Sequence, residues 1–151
     1  MLLVCGLGRG IIDHVNNQDV VSFTGSAKTG KMLKAHDRIL EESVPFNLEA
    51  DSLNATVLGK DAVPGTAEFD IFIKEVAREM TVKAGQKCTA IRRIFVPNNL
   101  MEDVQKALSD RLAKTTIGDP SQEGVRMGAL ATQLQVERVR ESVNKLAESQ
   151  Q

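Results

Sequence analysis

Cys88 stands in the stretch Lys83-Ala84-Gly85-Gln86-Lys87-Cys88-Thr89. A thiol is a strong nucleophile once ionised, and Lys83 and Lys87 are cations that could favour the thiolate. Earlier in the chain comes Glu49, in Asn47-Leu48-Glu49-Ala50-Asp51-Ser52. An acid that closes an apolar strand is rigidly held and partly desolvated, which suits a general base. Asp51 is its neighbouring competitor for that role. Earlier still, Phe23-Thr24-Gly25-Ser26 reads as a strand end followed by a helix start. Such a turn offers backbone N–H groups and the positive end of a helix dipole to an anion. A phosphate-binding turn, a carboxylate and a thiol, in that order, suggest thiol chemistry on a substrate beside a nucleotide cofactor.

Taken singly, each feature has a plainer reading: a strand-to-helix turn, a solvated acid, an inert half-buried thiol. Two other functions stay open beside the first. Gly25-Ser26-Ala27-Lys28-Thr29-Gly30-Lys31-Met32 nearly fits the P-loop pattern G-x-x-x-x-G-K-[ST]. Met32 departs from it, because a thioether cannot supply the hydroxyl that Mg²⁺ takes. A non-catalytic remnant or interaction module is the other alternative. Cys5, inside an apolar stretch, is expected in the core. His14 and His36 have no partner at diagnostic spacing and read as surface residues, and no metal-ligand set is expected.

The elements that must position these residues alternate. Strands are expected over 2–5, 19–24, 44–48, 55–58 and 91–96, where β-branched and apolar residues gather. Ser26 is a candidate N-cap for a helix over 27–35. A helix over 68–83 carries Phe69, Phe72, Ile73, Val76 and Met80 at helical spacing. Another over 100–114 aligns Leu100, Val104, Leu108 and Leu112. A last helix begins near Thr132, which forms a capping-box pattern with Gln135 and leads the stripe Val136, Val139, Val143 and Leu146. Pro64-Gly65 and Gly118-Asp119-Pro120 read as turns. This alternation predicts an α/β fold, with parallel-sheet layers and flanking helices. The chain opens on a strand and ends in the polar tail Glu148-Ser149-Gln150-Gln151, as a piece of a longer protein would.

Composition excludes several classes. The 151 residues suit about one domain, and Lys+Arg 19 against Asp+Glu 20 leaves a net charge of −1. Without a basic face, nucleic acid is not an expected partner. No apolar run reaches membrane-spanning length, and no signal peptide stands out. Two cysteines without metal-ligand spacing suit a reducing compartment, so a cytoplasmic location is expected.

Together, Phe23-Thr24-Gly25-Ser26, Leu48-Glu49, Gly85-Gln86-Lys87-Cys88, Gly118-Asp119-Pro120 and Met127-Gly128 resemble the aldehyde dehydrogenase superfamily over nearly the whole chain. Ser43-Val44-Pro45-Phe46, Glu49-Ala50-Asp51-Ser52-Leu53-Asn54 and 84–93 are similar to its phenylacetate-degradation subgroup. The bifunctional members of that subgroup join oxepin-CoA hydrolysis to semialdehyde oxidation. Most of the superfamily carries Leu-Gly-Gly after the glutamate, where this chain has Ala50-Asp51-Ser52. Glycines there would let Glu49 swing between poses, and Ala50 and Asp51 should restrict that movement.

The resemblance implies a partial aldehyde dehydrogenase-like fold. Residues 1–51 would be the C-terminal part of a dinucleotide-binding domain, and 52–151 the N-terminal part of the catalytic domain. Cys88 would attack an aldehyde, CoA-linked in that subgroup, and the resulting thiohemiacetal would pass hydride to NADP or NAD. Glu49 would activate the hydrolytic water. Gly25, Ser26, Thr29 and Gly30 would hold the cofactor. A homo-oligomer is implied for the full-length form. The family's upstream Asn, partner of the Cys88 N–H in the oxyanion hole, has no counterpart here. The chain alone is therefore expected to be inactive, and to aggregate or pair through uncovered apolar faces.

Overall fold

The computed structural model describes residues 3, 5, 6 and 8–149. The chain divides into two compact units, Met1–Ser52 and Leu53–Gln151.

The first unit is built on a pair of parallel strands, β1 (Val21–Gly25) and β2 (Phe46–Ala50). Parallel neighbours need a crossover, which α1 (Ala27–Lys34) and α2 (Asp37–Glu41) supply. The Ser26 hydroxyl accepts the Thr29 N–H at 3.2 Å and so caps α1 as expected. Along β2 the side chains alternate: Phe46, Leu48 and Ala50 are half-buried, Asn47 and Glu49 exposed. A small core of Ile12, Val15, Ile39 and Val44 takes Val21, Leu33 and Phe46 against it. His36 is more than a surface residue. Its Nδ1 accepts the Arg38 N–H and caps α2, while Nε2 lies 3.3 Å from Asp13.

The strand expected over 2–5 falls partly outside the described residues, at Leu2 and Val4. Leu3 and Cys5 are exposed and outside any strand, so Cys5 is not the core residue expected. Among the described residues, no strand pairing involves Leu3 or Cys5.

The second unit contains the parallel pair β3 (Ala55–Val57) and β4 (Arg93–Phe95), with α3 (Ala67–Thr81), α4 (Met101–Leu112) and α5 (Gln133–Glu148). Phe69, Phe72, Ile73 and Val76 of α3 join Leu58, Leu100 and Val104 in one buried cluster. Met80, expected on the same stripe, is exposed. α3 also ends two residues short of expectation. Lys83 and Ala84 both take left-handed conformations with φ of 53°, which no α-helix accommodates. Thr132 caps α5 as expected, accepting the Gln135 N–H, but Val139, Val143 and Leu146 of its stripe are exposed. Of the polar tail, Gln150 and Gln151 lie outside the described residues.

Candidate active site

In the first unit, β1 delivers Gly25 and Ser26 to the start of α1. Phe23 lies across the strand end, and a Cβ on Gly25 would meet its ring at 2.6 Å. Gly30 is buried, and a Cβ there would lie 2.2 Å from Leu48 Cδ1. The absent side chain lets α1 settle onto β2 one residue before Glu49, the close helix–strand approach that dinucleotide folds need. The Ser26 hydroxyl donates to the Thr29 hydroxyl at 3.0 Å. Among the described residues the Lys28 N–H has no acceptor, so the helix end keeps a free donor for an anion. Its neighbour is taken: the Ala27 N–H donates to Asp51 Oδ1 at 3.1 Å. The start of α1 thus keeps one free N–H, that of Lys28, beside one already capped by a carboxylate.

The P-loop alternative fails on this geometry. That motif needs an irregular loop between its glycine and its lysine, so that successive N–H groups can wrap phosphates. Here α1 begins at Ala27, and Gly30 and Lys31 lie inside the helix.

Glu49 pairs with Thr24 in the parallel ladder and is exposed. The partial desolvation expected of it is therefore absent within this unit, because β2 turns its odd-numbered side chains outward. Asp51 follows with φ of 56°, a left-handed conformation that Asp tolerates better than most residues. Its N–H donates to the Gly25 carbonyl at 3.1 Å, and its carboxylate accepts from Ala27. These two bonds tie the end of the Glu49 segment to the turn before α1. Asp51 thus braces the turn.

In the second unit, Cys88 is an exposed free thiol in a turn after α3. The turn is held by polar groups from elsewhere in the unit. Gln86 donates to the Lys83 carbonyl at 2.9 Å and accepts the Ala131 N–H at 2.8 Å. Asn54 Nδ2 donates to the Cys88 carbonyl at 2.7 Å and the Ala90 carbonyl at 3.1 Å. An Arg92 guanidinium N–H reaches the Lys87 carbonyl at 3.2 Å. Lys87, expected to favour the thiolate, instead pairs with Glu79 at 2.8 Å. Its charge is largely neutralised there, so it cannot serve Cys88 as a free cation. Among the described residues the N–H groups of Cys88 and Thr89 have no acceptor.

Asn54 and Arg92 carry no role in the motifs that contain them; the partners of Asn54 in the turn are set by the chain's long-range path and not by local spacing. Glu49 and Cys88 belong to separate units, each described by itself. No group of three or more His, Cys, Asp or Glu among the described residues could hold a metal. No helix among them is long and apolar enough to cross a membrane.

The model of the aldehyde dehydrogenase family matches residues 3–151. A 3,4-dehydroadipyl-CoA semialdehyde dehydrogenase from Aromatoleum evansii is 49% identical over 144 residues, which is 95% of this chain and 28% of that protein. An alpha-ketoglutaric semialdehyde dehydrogenase from Bacillus subtilis is 28% identical over 139 residues, covering 92% of this chain and 27% of the relative. Among solved structures, betaine aldehyde dehydrogenase from Staphylococcus aureus in complex with NAD+ superposes with a TM-score of 0.82. It is 25% identical, over 97% of this chain and 28% of that one. The chain thus spans 28% of the length of its 49%-identical relative.

Proposed function

Because this chain belongs to the aldehyde dehydrogenase family, we propose that it carries the thiol and the base of an NAD(P)-dependent aldehyde oxidation. The aldehyde is read as a semialdehyde carrying a CoA thioester, as named for the Aromatoleum relative. The observation that carries the reading is Cys88: an exposed thiol in a turn pinned from several sides, whose N–H and that of Thr89 have no acceptor among the described residues.

Residues 1–51 are assigned to cofactor binding and 52–151 to the thiol. Of Gly25, Ser26, Thr29 and Gly30, the first two would face the diphosphate of NAD or NADP beside the Lys28 N–H, while Thr29 and Gly30, whose N–H groups go to Ser26, would shape the turn. When bound, the nicotinamide supplies a hydride acceptor. Cys88, as thiolate, bonds to the aldehyde carbon, and the carbonyl electron pair moves onto oxygen. The free Cys88 N–H is a donor suited to that oxygen. Loss of hydride from the same carbon leaves an acyl group on Sγ. Glu49 takes a proton from water, the hydroxide adds to the acyl carbon, and the Cys88 thiolate departs with the C–S pair. The products are a carboxylate and a reduced cofactor. A cytoplasmic location and a homo-oligomeric full-length form belong to the same reading.

Two substitutions in the full-length protein test it, with a CoA-linked semialdehyde and NAD or NADP. Cys88→Ala should lower turnover by on the order of 10³-fold or more, with cofactor affinity unchanged. Glu49→Gln should give one burst of reduced cofactor per site and then stall at the acyl-enzyme. Parental turnover in the Cys88 variant would overturn the nucleophile. Burst-free parental kinetics in the Glu49 variant would overturn the base.

A further inference from the structure

We propose that Asn54 is a positioning residue for Cys88, setting the peptide planes that flank the thiol; the proposal rests on the reading of Cys88 as nucleophile. Asn54 directly precedes β3. Its main-chain carbonyl accepts the N–H groups of Arg92 and Arg93 at 2.8 and 3.1 Å, which extends the β3–β4 pairing backward. That is all the ladder requires of it. The side chain does something separate. It spends both protons of its amide on the carbonyls of Cys88 and Ala90, at 2.7 and 3.1 Å.

The consequence follows from peptide geometry. In a planar trans peptide the C=O and the N–H point in opposite directions, and no cis peptide occurs among the described residues. Drawing the Cys88 carbonyl toward Asn54 therefore turns the Thr89 N–H away from it. The preceding plane is fixed the same way. The Lys87 carbonyl accepts from the Arg92 guanidinium and from the Ala90 N–H, at 3.2 and 3.3 Å, which turns the Cys88 N–H away from those donors. Ala90 is buried at 1% exposure and anchors the turn, while Cys88 and Thr89 stand exposed above it. The thiol thus stands in a turn whose two flanking planes are each held by a side chain, and among the described residues neither outward N–H has an acceptor. Among those residues, Asn54 alone holds the plane that follows the thiol.

Two variants of the full-length protein separate positioning from packing. Asn54→Leu keeps the size and removes both donors. Asn54→Ser loses the size and keeps one donor. The readouts are the rate of Cys88 alkylation by iodoacetamide, located by peptide mapping, together with kcat, the cofactor dissociation constant and the denaturant midpoint. For Asn54→Leu we expect Cys88 alkylation and kcat each to fall about tenfold, as the loss of a well-placed donor implies. Asn54→Ser should fall less. Cofactor affinity should hold at the parental value in both. The proposal is overturned if Asn54→Leu alkylates at the parental rate, if Leu is better tolerated than Ser, or if the alkylation rates follow the denaturant midpoints rather than the number of donors kept. Cys88→Ser in parallel keeps the two ideas apart: if it retains turnover, the nucleophile reading fails, while the alkylation rates still report on Asn54.

Discussion

Glu49 sits in a strand whose backbone is paired with β1 from Val21↔Phe46 to Gly25↔Ala50, whereas Cys88 sits in a turn with no ladder. The carboxylate is placed by repetition: each rung fixes the next, and one side-chain brace, Asp51, closes the end. The thiol is placed by single polar contacts from Asn54, Gln86, Lys87 and Arg92. A ladder is disturbed only when the strand itself is displaced. A turn held by side chains is disturbed by losing one group. The two regions should therefore respond to opposite kinds of substitution, steric for the first and polar for the second.

The largest effect is expected where α1 meets β2. A Cβ at residue 30 would lie 2.2 Å from Leu48 Cδ1 and 3.3 Å from its Cγ. Gly30→Val should destabilise the first unit by about 3 kcal/mol, the upper end of overpacking costs. Leu48→Ala should recover much of that loss when the two are combined, a coupling that denaturant unfolding of the single and double variants would read. Strict additivity would mean that the helix has another way to yield.

Next comes the ion pair beneath the thiol turn. The Lys87 and Glu79 side chains are 24% and 20% exposed and meet at 2.8 Å. Lys87→Ala would strand a half-buried carboxylate, at a cost of about 1–2 kcal/mol, below that of a fully buried pair. Glu79→Gln combined with Lys87→Ala should recover part of it, since the amide tolerates burial without a cation. If Lys87→Ala unfolds at the parental denaturant concentration, the turn does not depend on its polar contacts as the comparison claims.

The same division explains what could be read from the chain. Ser26 and Thr132 as caps, the Phe69-Phe72-Ile73-Val76 stripe and the strand around Leu48 were legible because each is a local pattern, set within one or two turns of backbone. Lys87 was misjudged because its partner Glu79 lies on a helix, and only the chain reversal at Lys83 and Ala84 brings them together. Cys5 was misjudged because apolar neighbours indicate burial only when something covers them. Asn54 was not legible, because its side-chain partners follow it by more than thirty residues. The family match came through residue order, which is chemical information of a different kind from periodicity.

The smallest and most informative effect concerns Asp51, where the strand-held region borrows the other's method. Its carboxylate caps the Ala27 N–H, and its backbone sits at a φ of 56°. Removing a cap costs about 0.5–2 kcal/mol, and a left-handed conformation costs a side chain with a Cβ about 1–2 kcal/mol. Asp51→Asn keeps an acceptor and should match the parent. Asp51→Ala loses the cap, keeps the strain, and should lose about 1 kcal/mol or slightly more. Asp51→Gly loses the cap but sheds the strain, so it should fall between them. Amide exchange then separates stability from restraint: residues 50–52 should exchange fastest in the Gly variant, where only the backbone ladder still limits the segment that carries Glu49. If Ala and Gly are equally destabilised, the left-handed conformation is not a strain that Asp51 bears. If exchange at 50–52 matches the parent in every variant, the brace does not restrict Glu49, and the ladder alone places it.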